Sequence, residues 1–172
     1  MSVYVKLRET DLHYCIARSI KSFFGFSQAG MYFEVPVAGS RTDFLFYHVP
    51  GVHGPPPGIH AFEVKMGRDG GKKRLRRQLE DYLSAADYVW LVGVNTVIDP
   101  GFKNVGFLVY STSSGEIFLK RHAVHDHARQ DPAVRDGLLS IYQGRLKSRL
   151  KALGRMRYVE PVNGCLHVQS RL

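Results

Sequence analysis

Three charged residues sit where an apolar strand should exclude them. Asp43 opens the run DFLFY, and Glu63 and Lys65 interrupt AFEVKM. Residues 63 and 65 are two apart, so on a strand both project from the same face. Two charges on one face of an apolar strand are costly unless they are paired or bind an ion. If the strand carrying Asp43 lies beside the one carrying Glu63, two carboxylates come within reach of one divalent cation. Their hard oxygens suit Mg2+ or Mn2+, with water and a substrate phosphate filling the remaining positions. Such an ion polarises a scissile phosphate and acidifies a water. Lys65 would orient or help deprotonate that water, or stabilise charge on the transition state. The same residues also suit a second arrangement, a Glu63–Lys65 or Asp43–Lys65 ion pair holding two strands together. Buried ion pairs contribute weakly or negatively to stability, and spacing alone leaves both arrangements open.

These side chains need a scaffold, and hydrophobic periodicity outlines one. Leu12, Ile16, Ile20 and Phe23 recur at helical spacing over about 8–24, and Gly25 is a stop. Strands follow at 31–37 and 42–49, joined by Ala38-Gly39-Ser40. A Pro- and Gly-rich loop at 50–58 leads to a third strand at 59–66. After the break at 67–71, Leu75, Leu79, Tyr82, Leu83 and Ala86 mark one face of a helix over 72–86. The unbroken apolar run YVWLVGV (88–94) fits a strand buried on both faces. Shorter strands are expected at 105–111 and 116–121, then a helix over 133–153 with Leu138, Leu139, Tyr142, Leu146 and Leu150 inward, then a tail that could form a hairpin. A strand meander followed by a crossover helix implies the α/β class, a central mixed β-sheet flanked by helices in α-β-β-β-α-β order. The length suits one domain over 1–172, with a core at about 8–121 and a C-terminal helix and tail at 133–172.

In that context the chain resembles a known family. Asp43, then roughly twenty residues to Glu63-Val64-Lys65, is similar to the D…(D/E)xK core of PD-(D/E)XK nucleases, whose fold is restriction-endonuclease-like. Gln78-Leu79-Glu80-Asp81-Tyr82 resembles the Q-x-x-x-Y element of RecB-type nuclease domains, and ADYVWLVGV resembles the apolar strand after it. The likeness covers roughly 8–94, about half the chain. It implies metal-dependent hydrolysis of DNA, with Asp43 and Glu63 as metal ligands and Lys65 as a catalytic residue. It assigns Gln78 to the metal site or the substrate phosphate, and Tyr82 to DNA contact or support. On a helix Gln78 lies about 40° from Tyr82 and about 60° from Leu75, at the edge of the buried face. The resemblance also implies a glutamate from the first helix. Glu9, three residues before Leu12, fits that role unless Thr10 caps the helix and leaves it outside; Glu34, in the strand before Asp43, is its rival. Thr42 stands where the family name has proline, and the four cysteines of its iron–sulfur subset are absent.

Composition fits a nucleic-acid partner. Lys and Arg total 24 against 15 acidic residues, a formal charge of +9, which favours polyanions. Lys72, Lys73, Arg74, Arg76 and Arg77 gather beside the proposed site, where phosphate contacts would supply salt-sensitive affinity without sequence information. Basic residues at a helix N-terminus oppose the macrodipole, which makes a purely structural role less comfortable. His122, His125 and His127 lack partner ligands at recognisable spacing and fit a polar surface loop. Cys15 and Cys165 form no CxxC pair and suit reduced thiols. The N-terminus lacks a signal-like apolar stretch, and no apolar run approaches the roughly 18 residues of a membrane helix, so an intracellular, cytoplasmic protein is expected. Small stand-alone nucleases of this class resemble Holliday-junction resolvases, viral or mobile-element nucleases and repair endonucleases, and many dimerise. The expectation is therefore an endonuclease acting on DNA, with a homodimer in prospect. The alternative is a non-catalytic nucleic-acid-binding protein on the same fold.

Overall fold

The computed structural model describes residues 9–26, 31–48, 56–67, 71–99, 101–152, 157–162 and 165–170, with side chains described between 10 and 148 within those segments. Helix α1 (Glu9–Phe24) precedes a meander of β1 (Met31–Val37), β2 (Ser40–His48) and β3 (Gly58–Met66). Helix α2 (Lys72–Leu83) leads to β4 (Tyr88–Val94), β5 (Gly106–Tyr110) and β6 (Ile117–Arg121). Helix α3 (Pro132–Ala152) and a hairpin of β7 (Arg157–Val162) and β8 (Cys165–Ser170) follow. The six strands β1 to β6 lie side by side in sequence order. Pairing is antiparallel from β1 to β3, parallel from β3 to β5, and antiparallel again at β6. Parallel neighbours need a crossover, and α2 supplies the one between β3 and β4.

Alternation along the strands divides the interior into two layers. Leu45, Tyr47, Ile59, Ala61, Val89 and Leu91 pack against Leu75, Leu79, Tyr82 and Leu83 of α2 and Leu138, Leu139, Tyr142 and Leu146 of α3. Phe44, Phe46, Phe62, Val64, Trp90, Val92 and Leu108 pack against Leu12, Ile16, Ala17 and Ile20 of α1. Both faces are covered, which is why β2 and β4 read as continuous apolar runs. The expected α-β-β-β-α-β order and mixed sheet are what the structure has.

Two local expectations need correcting. Helix α2 ends at Leu83, because the N–H groups of Ala85 and Ala86 both turn back to the Tyr82 carbonyl. The apolar rhythm continued to Ala86 only because Ala85 and Ala86 stay buried in that turn. On α1, Phe23 is 45% exposed and Phe24 turns inward against Trp90, with ring centroids 5.0 Å apart. At about 100° per residue, Phe24 lies about 40° from Ile20 and Phe23 about 60°, so Phe24 is nearer the centre of the buried stripe.

The first residues of β3 and β4 are tied down by polar groups. Asp87 accepts from the Ile59 N–H (2.8 Å), from Gln130 (2.9 Å) and from Arg135 of α3 (3.2 Å), and His125 lies 3.3 Å away. Burial alone would raise the Asp87 carboxyl, but the Ile59 N–H and the Arg135 and Gln130 bonds outweigh it and hold the group below the usual carboxylate value. Gly58, at φ 137°, makes room: a Cβ there would stand 2.6 Å from the Asp87 carboxylate. His125 of the histidine-rich loop thus lies against this tie, while His122 and His127 are exposed.

Beside it, His60 is fully buried under Tyr88, with ring centroids 4.7 Å apart. The Trp90 indole can only donate, so His60 Nδ1 accepts from it (3.1 Å). The proton therefore sits on Nε2 and is donated to the Pro56 carbonyl (2.9 Å). Burial lowers the His60 pKa to about 4, against the opposing Pro56 bond. Because the folded value lies below the unfolded one, its stabilising contribution is complete above about pH 6.5 and is lost as pH falls towards 4. Denaturant titrations across that window should show wild type losing roughly 1 kcal/mol more per pH unit than His60→Gln. Equal slopes would mean the ring carries its proton in the folded state.

Candidate active site

At the other end of β3 the sheet opens. The β2–β3 register runs from His48↔Gly58 to Phe44↔Phe62. One residue further on, the Asp43 side chain takes over from the backbone: its Oδ2 accepts the Val64 N–H at 2.6 Å. The Asp43 carboxylate therefore wedges between the strands, next to the peptide that follows Glu63.

Glu63 is 1% exposed, in a strand flanked on both sides. Both of its oxygens are engaged. Oε1 lies 2.6 Å from Lys65 Nζ, and Oε2 accepts from the Tyr82 hydroxyl at 2.6 Å. The same hydroxyl lies 2.5 Å from the Arg41 carbonyl on β2, so one phenol proton is directed between two acceptors. Burial, and then the charges of Glu63 and Asp43, push the Tyr82 pKa far above its ordinary value. Tyr82 therefore keeps its proton and serves Glu63 as a hydrogen-bond donor. A second bond from α2 to β2, Ser40 Oγ to the Asp81 carboxylate, fixes the same stretch of β2. Helix α2 thus holds residues 40–41 and Glu63 at once, close to where Asp43 takes the Val64 N–H. Gly93 is the register partner of Lys65. A Cβ there would collide with the Thr96 carbonyl, so the glycine lets the chain after β4 fold back beside Lys65.

The remaining expected residues divide clearly. Tyr82 is fully buried and cannot touch a duplex, so the expectation of a DNA contact there gives way to support of Glu63. Gln78 is half-buried, one turn before Tyr82, and makes no hydrogen bond among the described residues. Glu9 is the first residue of α1, so Thr10 lies inside the helix; the Glu9 side chain lies outside the described residues. Glu34 stands across from Asp43 in register, but its backbone turns to φ 51° and its carboxylate pairs with exposed Arg41 at 3.3 Å. Lys72, Lys73, Arg74, Arg76 and Arg77 are all exposed on the first turns of α2, which has no acidic residue in its first turn and no side-chain cap. Arg76 is the most engaged, with Glu80 at 3.3 Å and the Phe102 ring 5.5 Å away.

One residue was missed. His13, buried on α1, brings Nε2 to 3.6 Å from Asp43 Oδ1. The signal was present: His13, Ile16 and Ile20 share the stripe that faces the sheet, and a histidine there must meet something polar. Glu9 precedes it by one turn on α1.

The described residues contain no group of three His, Cys, Asp or Glu side chains able to hold a metal. Two carboxylates remain a workable set for a hard cation, since Mg2+ commonly binds through one or two and keeps several waters. The Lys65 ammonium against Glu63 shows that the site already accommodates positive charge.

The chain matches no protein-family model and no curated protein. Among solved structures it is similar to SPO1766, a protein of unknown function from Silicibacter pomeroyi, with a TM-score of 0.58 and 22% identity over 87% of this chain and 94% of that one. It also aligns with SfsA from Pyrococcus furiosus, solved in complex with Ca2+, with a TM-score of 0.32 and 14% identity over 67% of this chain and 62% of that one. The likeness to SPO1766 is one of fold, and fold does not carry function. Among the described residues, no helix is long and apolar enough to cross a membrane.

Tyr82→Phe removes the donor shared by Glu63 and Arg41 without opening a cavity. It should cost about 1–3 kcal/mol in urea unfolding, the penalty for stranding a buried acceptor. A change near zero would show that the hydroxyl does not hold Glu63.

Proposed function

We propose that this protein is a divalent-metal-dependent nuclease of the PD-(D/E)XK type that hydrolyses phosphodiester bonds in DNA, as an endonuclease. The observation that supports this most is the opening between β2 and β3, where Asp43 takes the Val64 N–H and the Glu63–Lys65 pair stands on either side of that residue inside an otherwise apolar sheet. Asp43 and Glu63, with Glu9 of α1, would hold Mg2+ or Mn2+, and His13 of α1 lies 3.6 Å from Asp43. The ion would supply Lewis acidity at the scissile phosphate.

The chain's own groups do the rest. Tyr82 pins one Glu63 oxygen and leaves the other directed at Lys65. The Lys65 ammonium is the donor placed to orient a water or to meet negative charge developing on the phosphate. Gln78, at the rim of α2, would contact the metal site or the phosphate. Lys72, Lys73, Arg74, Arg76 and Arg77 would bind flanking phosphates at a helix terminus that already favours anions. The closed Glu63–Lys65 pair favours a second reading, in which the same cluster is structural and the protein binds nucleic acid without cutting it.

Cleavage of linear, circular and branched DNA with Mg2+, Mn2+ or EDTA separates the two readings. Wild type should cut in a metal-dependent way, with nicking of circles marking an endonuclease. Lys65→Ala should lower the rate about 100-fold or more while binding persists. A wild-type protein that binds every substrate and cuts none would establish the second reading. Replacing Lys72, Lys73, Arg74 and Arg77 together by Ala should flatten the dependence of log affinity on log salt by roughly 0.9 for each phosphate no longer neutralised. An unchanged slope would place the DNA track elsewhere.

A further inference from the structure

The two outer strands end the sheet differently. On β1, Pro36 has no N–H to offer, Glu34 turns at φ 51°, and the Phe33 carbonyl accepts from Arg145 of α3 at 3.1 Å. Such devices keep a further strand from adding to an edge. Strand β6 has no proline, and among the described residues no strand pairs with its outer side.

The side chains of β6 also differ by face. Ile117 and Leu119 pack with Leu108 and Tyr110 on the α1 side. Glu116, Phe118 and Lys120 alternate with them and point to the other side. Phe118 is 46% exposed, and neither Glu116 nor Lys120 has an ion-pair partner among the described residues.

We propose that β6 is the contact through which two copies of this chain associate, antiparallel about a two-fold axis at Phe118. In that register Glu116 stands opposite the partner's Lys120, Phe118 opposite the partner's Phe118, and Ile117 opposite the partner's Leu119. The axis repeats the ion pair, so Glu-Ile-Phe-Leu-Lys is complementary to itself when read against its own direction. An isologous contact requires that property, and opposite charges directly across a strand pair are favourable while like charges are not. Shifting the register by two residues sets Phe118 against Lys120 and loses both ion pairs.

A groove of about 450 Å³ borders this edge, between Arg18 and Phe23 of α1 and the chain that runs from Gly115 to Phe118. Phe23, which α1 leaves outward, supplies an apolar wall there. Continuing the sheet across β6 brings the partner's α1 alongside and covers that wall. The association is independent of what the β2–β3 opening does.

Sedimentation velocity over a range of concentrations, with circular dichroism to confirm folding, tests it by charge exchange. Wild type should be a dimer. Glu116→Lys and Lys120→Glu each set like charges across the axis twice, and each should weaken the dimer by about tenfold or more. The double variant restores opposite charges and should return to within about threefold of wild type. A monomeric wild type overturns the proposal. So does a dimer indifferent to either single change, or a double variant as weak as the singles.

Discussion

Removing a carboxylate from water inside a protein costs several kcal/mol unless hydrogen bonds and a counter-charge replace the solvent. Glu63 sits in an interior strand with essentially no exposed surface, so its surroundings must meet that demand. Lys65 two residues along, Tyr82 from the crossover helix and Asp43 at the parting of the neighbouring strand form one connected arrangement around it. Removing one member of such a set leaves the others unpaired, which is why α2 is bonded to β2 as well as to Glu63. A purely apolar strand would be the cheaper solution for folding alone. That a strand otherwise reading as core retains both charges is the physical reason to look for chemistry there.

The two ends of β3 have opposite characters. Around Gly58–His60 the strand is closed: Asp87 collects donors from β3, from Gln130 and from α3, and a neutral histidine is sealed beneath aromatic rings. Around Glu63–Lys65 the ladder opens and polar side chains take the place of backbone bonds. A rigid end and an open end on one strand let the polar cluster be held in place by packing at the closed end.

The elements were legible because both of their periods are strong. The two-sided burial of β4, the stop at Gly25 and the helical stripe of α2 all follow from residue spacing. The facing of Glu63 and Lys65 followed from the strand repeat alone. Two features were harder. The end of α2 was overrun because Ala85 and Ala86 remain buried after the helix stops, and burial does not distinguish a turn from a further helical residue. His13 was overlooked because its partner lies thirty residues away, and local spacing carries no information about which strand a helix will cover. Tyr82 shows the limit from the other side: a motif position suggested contact with the substrate, while packing turned the hydroxyl inward to Glu63.

Everything proposed for the β2–β3 opening depends on Asp43 and Glu63 forming a cation site, with the Lys65–Glu63 ion pair as its resting state. Calorimetric titration of Mn2+ into the protein without DNA, comparing wild type with Asp43→Asn, addresses this without relying on turnover. Asparagine keeps an oxygen for the Val64 N–H while removing the charge, so the fold should persist. Wild type should bind the ion saturably, and the variant should not. Equal binding by both proteins, or none by either, would contradict the cation site and leave the cluster as a structural ion pair.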